Sequence, residues 1–170
     1  METSTFYKVY GATEAGENLT QIGKKNWLLT FGYFKDKDNL NAAWHYRKNY
    51  SHKPSEEELK KDLETLINSI TDQSILNGFV WNNIPVYLST ENQINFKAVY
   101  DLTVQTSGKT LPIRFKLGED SDGNAVYYNF TDIDTFTDFY SKAVTYITDC
   151  INAGWVKKDS INYNKLLGNE

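Results

Sequence analysis

Three times along this chain, two runs of strand-forming residues flank a turn and are followed by a stretch whose apolar residues recur at helical spacing. That repeated order limits the fold more than any other feature. In the first instance WLLTFGYF, from Trp27, and AAWHYRKNY flank the polar KDKDNLN. Pro54 then ends the strand. Ser55 and Glu58 form a capping box that opens a helix over about 55–70, with Leu59, Leu63, Leu66 and Ile70 on one face. In the second, GFVW and IPVYLS flank Asn82 and Asn83, which tolerate the positive φ of a two-residue hairpin turn. Ser89 or Thr90 caps the following helix, whose apolar stripe is Ile94, Ala98, Val99 and Leu102 and which ends near Ser107-Gly108. In the third, LPIRFKLG turns through EDSDGN into AVYYNF. Thr131 or Asp132 caps the last helix, which buries Phe136, Tyr140, Ala143, Ile147 and Cys150 and stops at Gly154.

The fold class predicted is α+β, three tandem β-hairpin-plus-helix units with helices packed on antiparallel or mixed sheet. The units cover about 27–77, 78–108 and 109–155, within a single α+β domain over 27–155. Residues 1–26 read as an N-terminal arm, mostly polar apart from Phe6, Tyr7, Val9 and Tyr10. That cluster either packs back on the domain or docks on a neighbour, because exposed large apolar groups gain a monomer nothing. Residues 156–170 read as a lightly docked C-terminal tail.

Composition removes several classes of function. A 40% hydrophobic chain with 4 Trp, 12 Tyr and 9 Phe is not a disordered one. No apolar run has the length of a membrane helix, and the start METSTFYKVYGATEAGEN holds no signal-peptide core, so neither a membrane partner nor Sec export is expected. A net charge of −4 with only Arg47 and Arg114 as arginines argues against nucleic acid, whose phosphates call for clustered basic groups. The lone Cys150 can close neither an internal disulfide nor a cysteine-based zinc site.

Candidate chemistry dissolves into structural roles. Ser107-Gly108-Lys109-Thr110 resembles the end of a phosphate-binding loop, yet Thr103 stands where its first glycine belongs, and the string leads into a strand. Asp120, Asp122 and Asn124 alternate as calcium ligands do, but Ala125 occupies the place of the required glycine; Asp36 and Asp38 open a similar loop that lacks it too. Both read as hairpin turns. His45 and His52 fall on opposite strand faces, and His45 with Arg47, Lys48 and Lys53 reads as a solvated basic face. Glu56, Glu57 and Glu58 sit in a first helical turn, favoured there by the dipole. No catalytic residue, cofactor or metal ligand is therefore assigned, and the chain is read as no enzyme.

Aromatic side chains remain, and half-exposed Trp and Tyr supply contact area at low entropic cost. The strings IPVYLSTENQ, SGKTLPIRFKLG and CINAGW, within a span from roughly Trp81 to Tyr163, resemble a family of uncharacterised proteins of tailed phages and prophages of gut Bacteroidetes, including crAss-like phages. The resemblance implies a virion-module protein associated with tails, fibres or capsid decoration. On that basis the chain is expected to be a structural component of the virion, made in the host cytoplasm. It would be a small homo-oligomeric head-fibre or fibre-anchoring protein, a dimer first of all, with capsid, fibre or tail proteins as partners. Phe6, Tyr7, Val9, Tyr10, Trp44 and Trp155 are the interface candidates. The alternatives are a carbohydrate-binding adhesion module with a host glycan as partner, and an assembly chaperone.

Overall fold

A computed structural model describes residues 5–12, 17–35 and 43–169, and eight strands and four helices follow one another along the described chain. The strands are β1 (Tyr7–Tyr10), β2 (Asn18–Gln21), β3 (Trp27–Lys35), β4 (Ala43–Tyr50), β5 (Phe79–Trp81), β6 (Ile84–Val86), β7 (Ile113–Glu119) and β8 (Ala125–Phe130). The helices are α1 (Glu56–Gly78), α2 (Thr90–Gln105), α3 (Ile133–Asp159) and α4 (Tyr163–Leu167). All described strand pairs are antiparallel, so the fold is α+β. The chain divides into two subdomains: the described residues up to Leu66 with those from Ser160 onward, and Ile67–Asp159.

The first subdomain is built on a four-stranded sheet in the order β1-β4-β3-β2. The described parts of the expected arm form the two edge strands of this sheet. β1 lies along β4 with Tyr7 opposite Arg47 and Tyr10 opposite Trp44, and β2 lies along β3 with Leu19 opposite Leu29. β2 meets the next strand across the short connection 22–26, whereas the partner of β1 lies far along the chain, so no local pattern announces it. Residues opposed in register share a face. One face therefore carries Lys8, Tyr10, Trp44, Tyr46, Lys48, Tyr50, Leu29 and Phe31, and the other carries Tyr7, Val9, His45, Arg47 and Thr30.

Between Phe31 and Phe34 the register slips by one residue. Gly32 supplies the positive φ, +73°, that such a bulge takes at little cost. The KDKDNLN segment of this hairpin, with Asp36 and Asp38, lies outside the described residues.

Ser55 and Glu58 close the capping box that opens α1: the Glu58 carboxylate accepts the Ser55 N–H at 2.8 Å, and the Ser55 hydroxyl accepts the Glu58 N–H at 3.2 Å. Leu59, Leu63 and Leu66 are buried. The helix does not fray at residue 70 but continues to Gly78. TDQSILNG has weak helix propensity, yet Ile75 packs on the core of the second subdomain and Tyr146 donates its hydroxyl to the Ser74 carbonyl at 2.9 Å. Packing outweighs propensity here. The expected tail likewise forms α4, opened by Asn162, whose Oδ1 accepts the Lys165 N–H at 3.0 Å; Leu166 is buried, and Lys53 donates to the Leu167 carbonyl at 3.0 Å.

In the second subdomain two hairpins, β5-β6 and β7-β8, share a core of aromatic side chains with α2 and α3. Asn82 (φ +49°) and Asn83 (φ +62°) make the expected two-residue turn. Trp81, Phe96, Phe115, Phe130, Phe136 and Phe139 interlock with ring centroids about 5–6 Å apart, mostly tilted or edge-on. The Trp81 indole N–H donates to Asp138 at 2.9 Å. On α2 the buried face is one position away from the expected stripe: Phe96 and Thr103 are buried with Val99 and Tyr100 packed beside the core, whereas Ile94 and Leu102 are exposed. On α3, Gly154 does not stop the helix. It is buried inside it, and a Cβ there would meet the Thr71 hydroxyl at 2.6 Å, so the glycine permits close approach of α1.

Candidate interaction surface

Five of the six interface candidates lie on β4, on β1 or directly before it, in the first subdomain. Phe6 directly precedes β1, and alternation sends Tyr10 to the face of Trp44 and sends Tyr7 and Val9 to the face of His45. Around Trp44 a ladder of rings forms. Phe34 stacks on it at 5.7 Å between centroids and Tyr10 tilts against it at 6.2 Å, while Tyr46 meets Phe34 edge-on at 5.5 Å. Lysines thread this ladder. The Lys8 ammonium lies 5.2 Å from the Trp44 centroid and 5.8 Å from that of Tyr46, and Lys48 lies 5.8 Å from Phe6 and 5.2 Å from Tyr50. A cation over a ring face is attracted by the ring quadrupole.

Tyr10, at 66% exposure, and Lys8 remain open to solvent, while Phe34, Trp44 and Tyr46 are half-buried. At the other end of this face α1 is pinned to the sheet by one carboxylate. Asp62 accepts the Tyr50 hydroxyl at 2.7 Å and the Lys48 ammonium at 2.7 Å. Burial first, then the Asp62 carboxylate, push the Tyr50 phenol well above its ordinary range.

The basic face expected around His45 does not form. His45 is 8% exposed, and its ring is held below the ordinary imidazole range by burial and by the neighbouring Arg47 charge. Lys48 points from the opposite face toward Asp62, because strand alternation separates positions 45 and 48. Three buried polar atoms of β4, Trp44 Nε1, His45 Nε2 and Arg47 Nε, have no hydrogen-bond partner among the described residues. His52 instead meets Glu58 at 2.9 Å on the surface. The Ser55 N–H, followed by His52, holds the Glu58 carboxyl below its usual range.

Trp155 belongs to the second subdomain, on α3, where it is 59% exposed beside the exposed Val156. Sequence reasoning missed Lys8, Phe34 and Tyr46. Strand alternation carries the signal for Lys8 and Tyr46, but the slip at Gly32 hides that for Phe34.

The remaining candidate chemistry is engaged in turns and caps. Ser107 (φ +52°) and Gly108 (φ +83°) terminate α2, with the Gly108 N–H on the Thr103 carbonyl at 2.8 Å. Asp120 Oδ1 accepts the N–H groups of Asp122 and Asn124 at 2.9 and 2.8 Å, which holds its carboxyl low, the Asn124 N–H contributing most. Asp132 caps α3 by accepting the Thr135 N–H at 2.7 Å. Among the described residues no group of three or more His, Cys, Asp and Glu side chains is placed to hold a metal ion, and no helix is long and apolar enough to cross a membrane. No family model matches the chain, and no curated protein or solved structure matches it.

Proposed function

We propose that this chain is a non-enzymatic structural component of a tailed-phage virion, a small homo-oligomeric head-fibre or fibre-anchoring protein. It would act by offering the Lys8–Tyr10–Trp44 surface to a neighbouring chain. The observation that carries the reading is the ring ladder at the edge of the four-stranded sheet, where a solvent-open Tyr10 and Lys8 flank a half-buried Trp44. Aromatic side chains with a polar tip are the groups that protein interfaces enrich. Glu58, Asp120 and Asp132, three of the carboxylates singled out in the sequence, are engaged in caps and turns. The virion setting itself rests on the resemblance within Trp81–Tyr163.

Mass spectrometry of purified particles tests the setting. The chain is expected among the particle proteins at stoichiometric copy number. Its presence in infected cells but not in particles would replace the structural role with that of an assembly chaperone.

A further inference from the structure

The second subdomain holds a concavity of about 600 Å³, within the range of small-molecule sites, between the end of α1, the β6–α2 link and β7. Tyr87 lines it, at 46% exposure, and its hydroxyl makes no hydrogen bond among the described residues. Its backbone, by contrast, is fixed on both sides. The Tyr87 N–H donates to the Leu117 carbonyl at 2.8 Å, and the Tyr87 carbonyl accepts the Asn92 side-chain amide at 2.8 Å. Leu88 is held in the same way, its N–H on the Leu76 carbonyl at 3.1 Å and its carbonyl taking the Gln93 amide at 2.8 Å. A large ring is thus presented from an immobilised backbone, which lowers the ordering cost of binding.

The polar lining is neutral in sum. Lys116 and Glu119 pair at 2.8 Å, so neither sign of charge is left over for an ionic ligand. Asn77 and Asn92 direct amide donors to Gln73 and to the Tyr87 carbonyl, which leaves their side-chain carbonyl oxygens as acceptors. A rigid ring face beside amide oxygens and a matched ion pair suits a ligand with one apolar face and a rim of hydroxyls. We infer that this concavity is a binding site for a neutral saccharide, whose C–H face stacks on Tyr87 while its hydroxyls bond Asn77, Asn92, Lys116 and Glu119. The site lies in the second subdomain, and a chain unable to assemble through β1 would still carry it.

The test is titration of the isotope-labelled full chain with cellobiose, maltose, lactose and N,N′-diacetylchitobiose, followed by amide NMR shifts. At least one of these disaccharides is expected to give saturable shifts confined to residues 76–77, 85–92 and 116–119, with Kd on the order of 1 mM. Tyr87→Ala should weaken that binding about tenfold or more, as loss of a ring stack does, and Tyr87→Phe should keep it. Tyr10→Ser should leave it unchanged. Failure of all four sugars to give saturable shifts, saturation mapping elsewhere on the chain, or equal affinity in a folded Tyr87→Ala variant would each overturn the assignment.

Discussion

Phe34 stacks on Trp44 with centroids 5.7 Å apart and ring planes at 18°, although it stands three residues from Phe31, whose side chain is on the same sheet face. In a regular strand that spacing would put the two rings on opposite faces. The one-residue slip at Gly32 reconciles them, and so a single backbone conformation decides whether the aromatic surface exists.

Gly32→Ala is therefore expected to be costly. A Cβ at this positive φ would lie 2.5 Å from the Phe34 ring, so the substitution strains the backbone and displaces the ring together. A loss of about 1–3 kcal/mol in chemical denaturation follows. Quenching by acrylamide of the Trp fluorescence should rise as Trp44 loses its stacking partner.

Gly118 is constrained by a neighbour, not by φ. An added Cβ would collide with the Pro85 carbonyl oxygen, a backbone atom that cannot swing aside. Gly118→Ala should cost about 1–3 kcal/mol, the range for overpacking. Gly23→Ala meets only the Asn26 side chain at ordinary contact distance, 3.6 Å, and should stay within about 0.5 kcal/mol of the parent. Equal midpoints for the two variants in urea would show that β6 and β7 do not approach as closely as described.

Thr103 is fully buried on α2, its hydroxyl 2.8 Å from the Val99 carbonyl and 2.9 Å from the Thr110 hydroxyl. Thr103→Val keeps the shape and strands Thr110, for a loss of about 1–3 kcal/mol by thermal or chemical unfolding. Thr103→Ser keeps the hydroxyl and gives up one methyl, for about 1 kcal/mol.

Alkaline pH should destabilise the fold through Tyr50. Its phenol is pushed up by burial and by Asp62, so the folded chain keeps a proton that the unfolded chain releases above pH about 10. The folded state then binds more protons, and stability falls as pH rises past that value. Burial and Cys150 push Tyr146 up to about 12 in the same sense, and burial with Glu64 and Glu56 raises Tyr163. Melting temperatures between pH 9 and pH 11, bracketing the ordinary phenol value of about 10, should drop less steeply in Tyr50→Phe than in the parent chain.

Local signals were legible wherever physics is local. Asn82-Asn83 announced a hairpin turn and Ser55 with Glu58 a capping box, and both form as read, while of Ser89 and Thr90 it is Ser89 that caps α2. The partner of β1 was not legible, because it lies some forty positions along the chain and a four-residue strand is specified by the strand it meets and not by its own residues. Helix ends failed where tertiary packing overrides weak formers, at TDQSILNG and at Gly154. The apolar cluster Phe6–Tyr10 and Trp44 was visible as composition; that Lys8, Phe34 and Tyr46 complete it depends on register. The Tyr87 concavity joins residues separated by some forty positions, which no window of sequence displays.

Light scattering of the purified full chain, parent against Lys8→Glu/Tyr10→Ser, examines the assembly claim most directly. The parent should run as a dimer or larger and the double variant as a monomer with an unaltered far-UV circular dichroism spectrum. A parent chain that stays monomeric at every concentration and ignores capsid and tail proteins would contradict assembly through this surface.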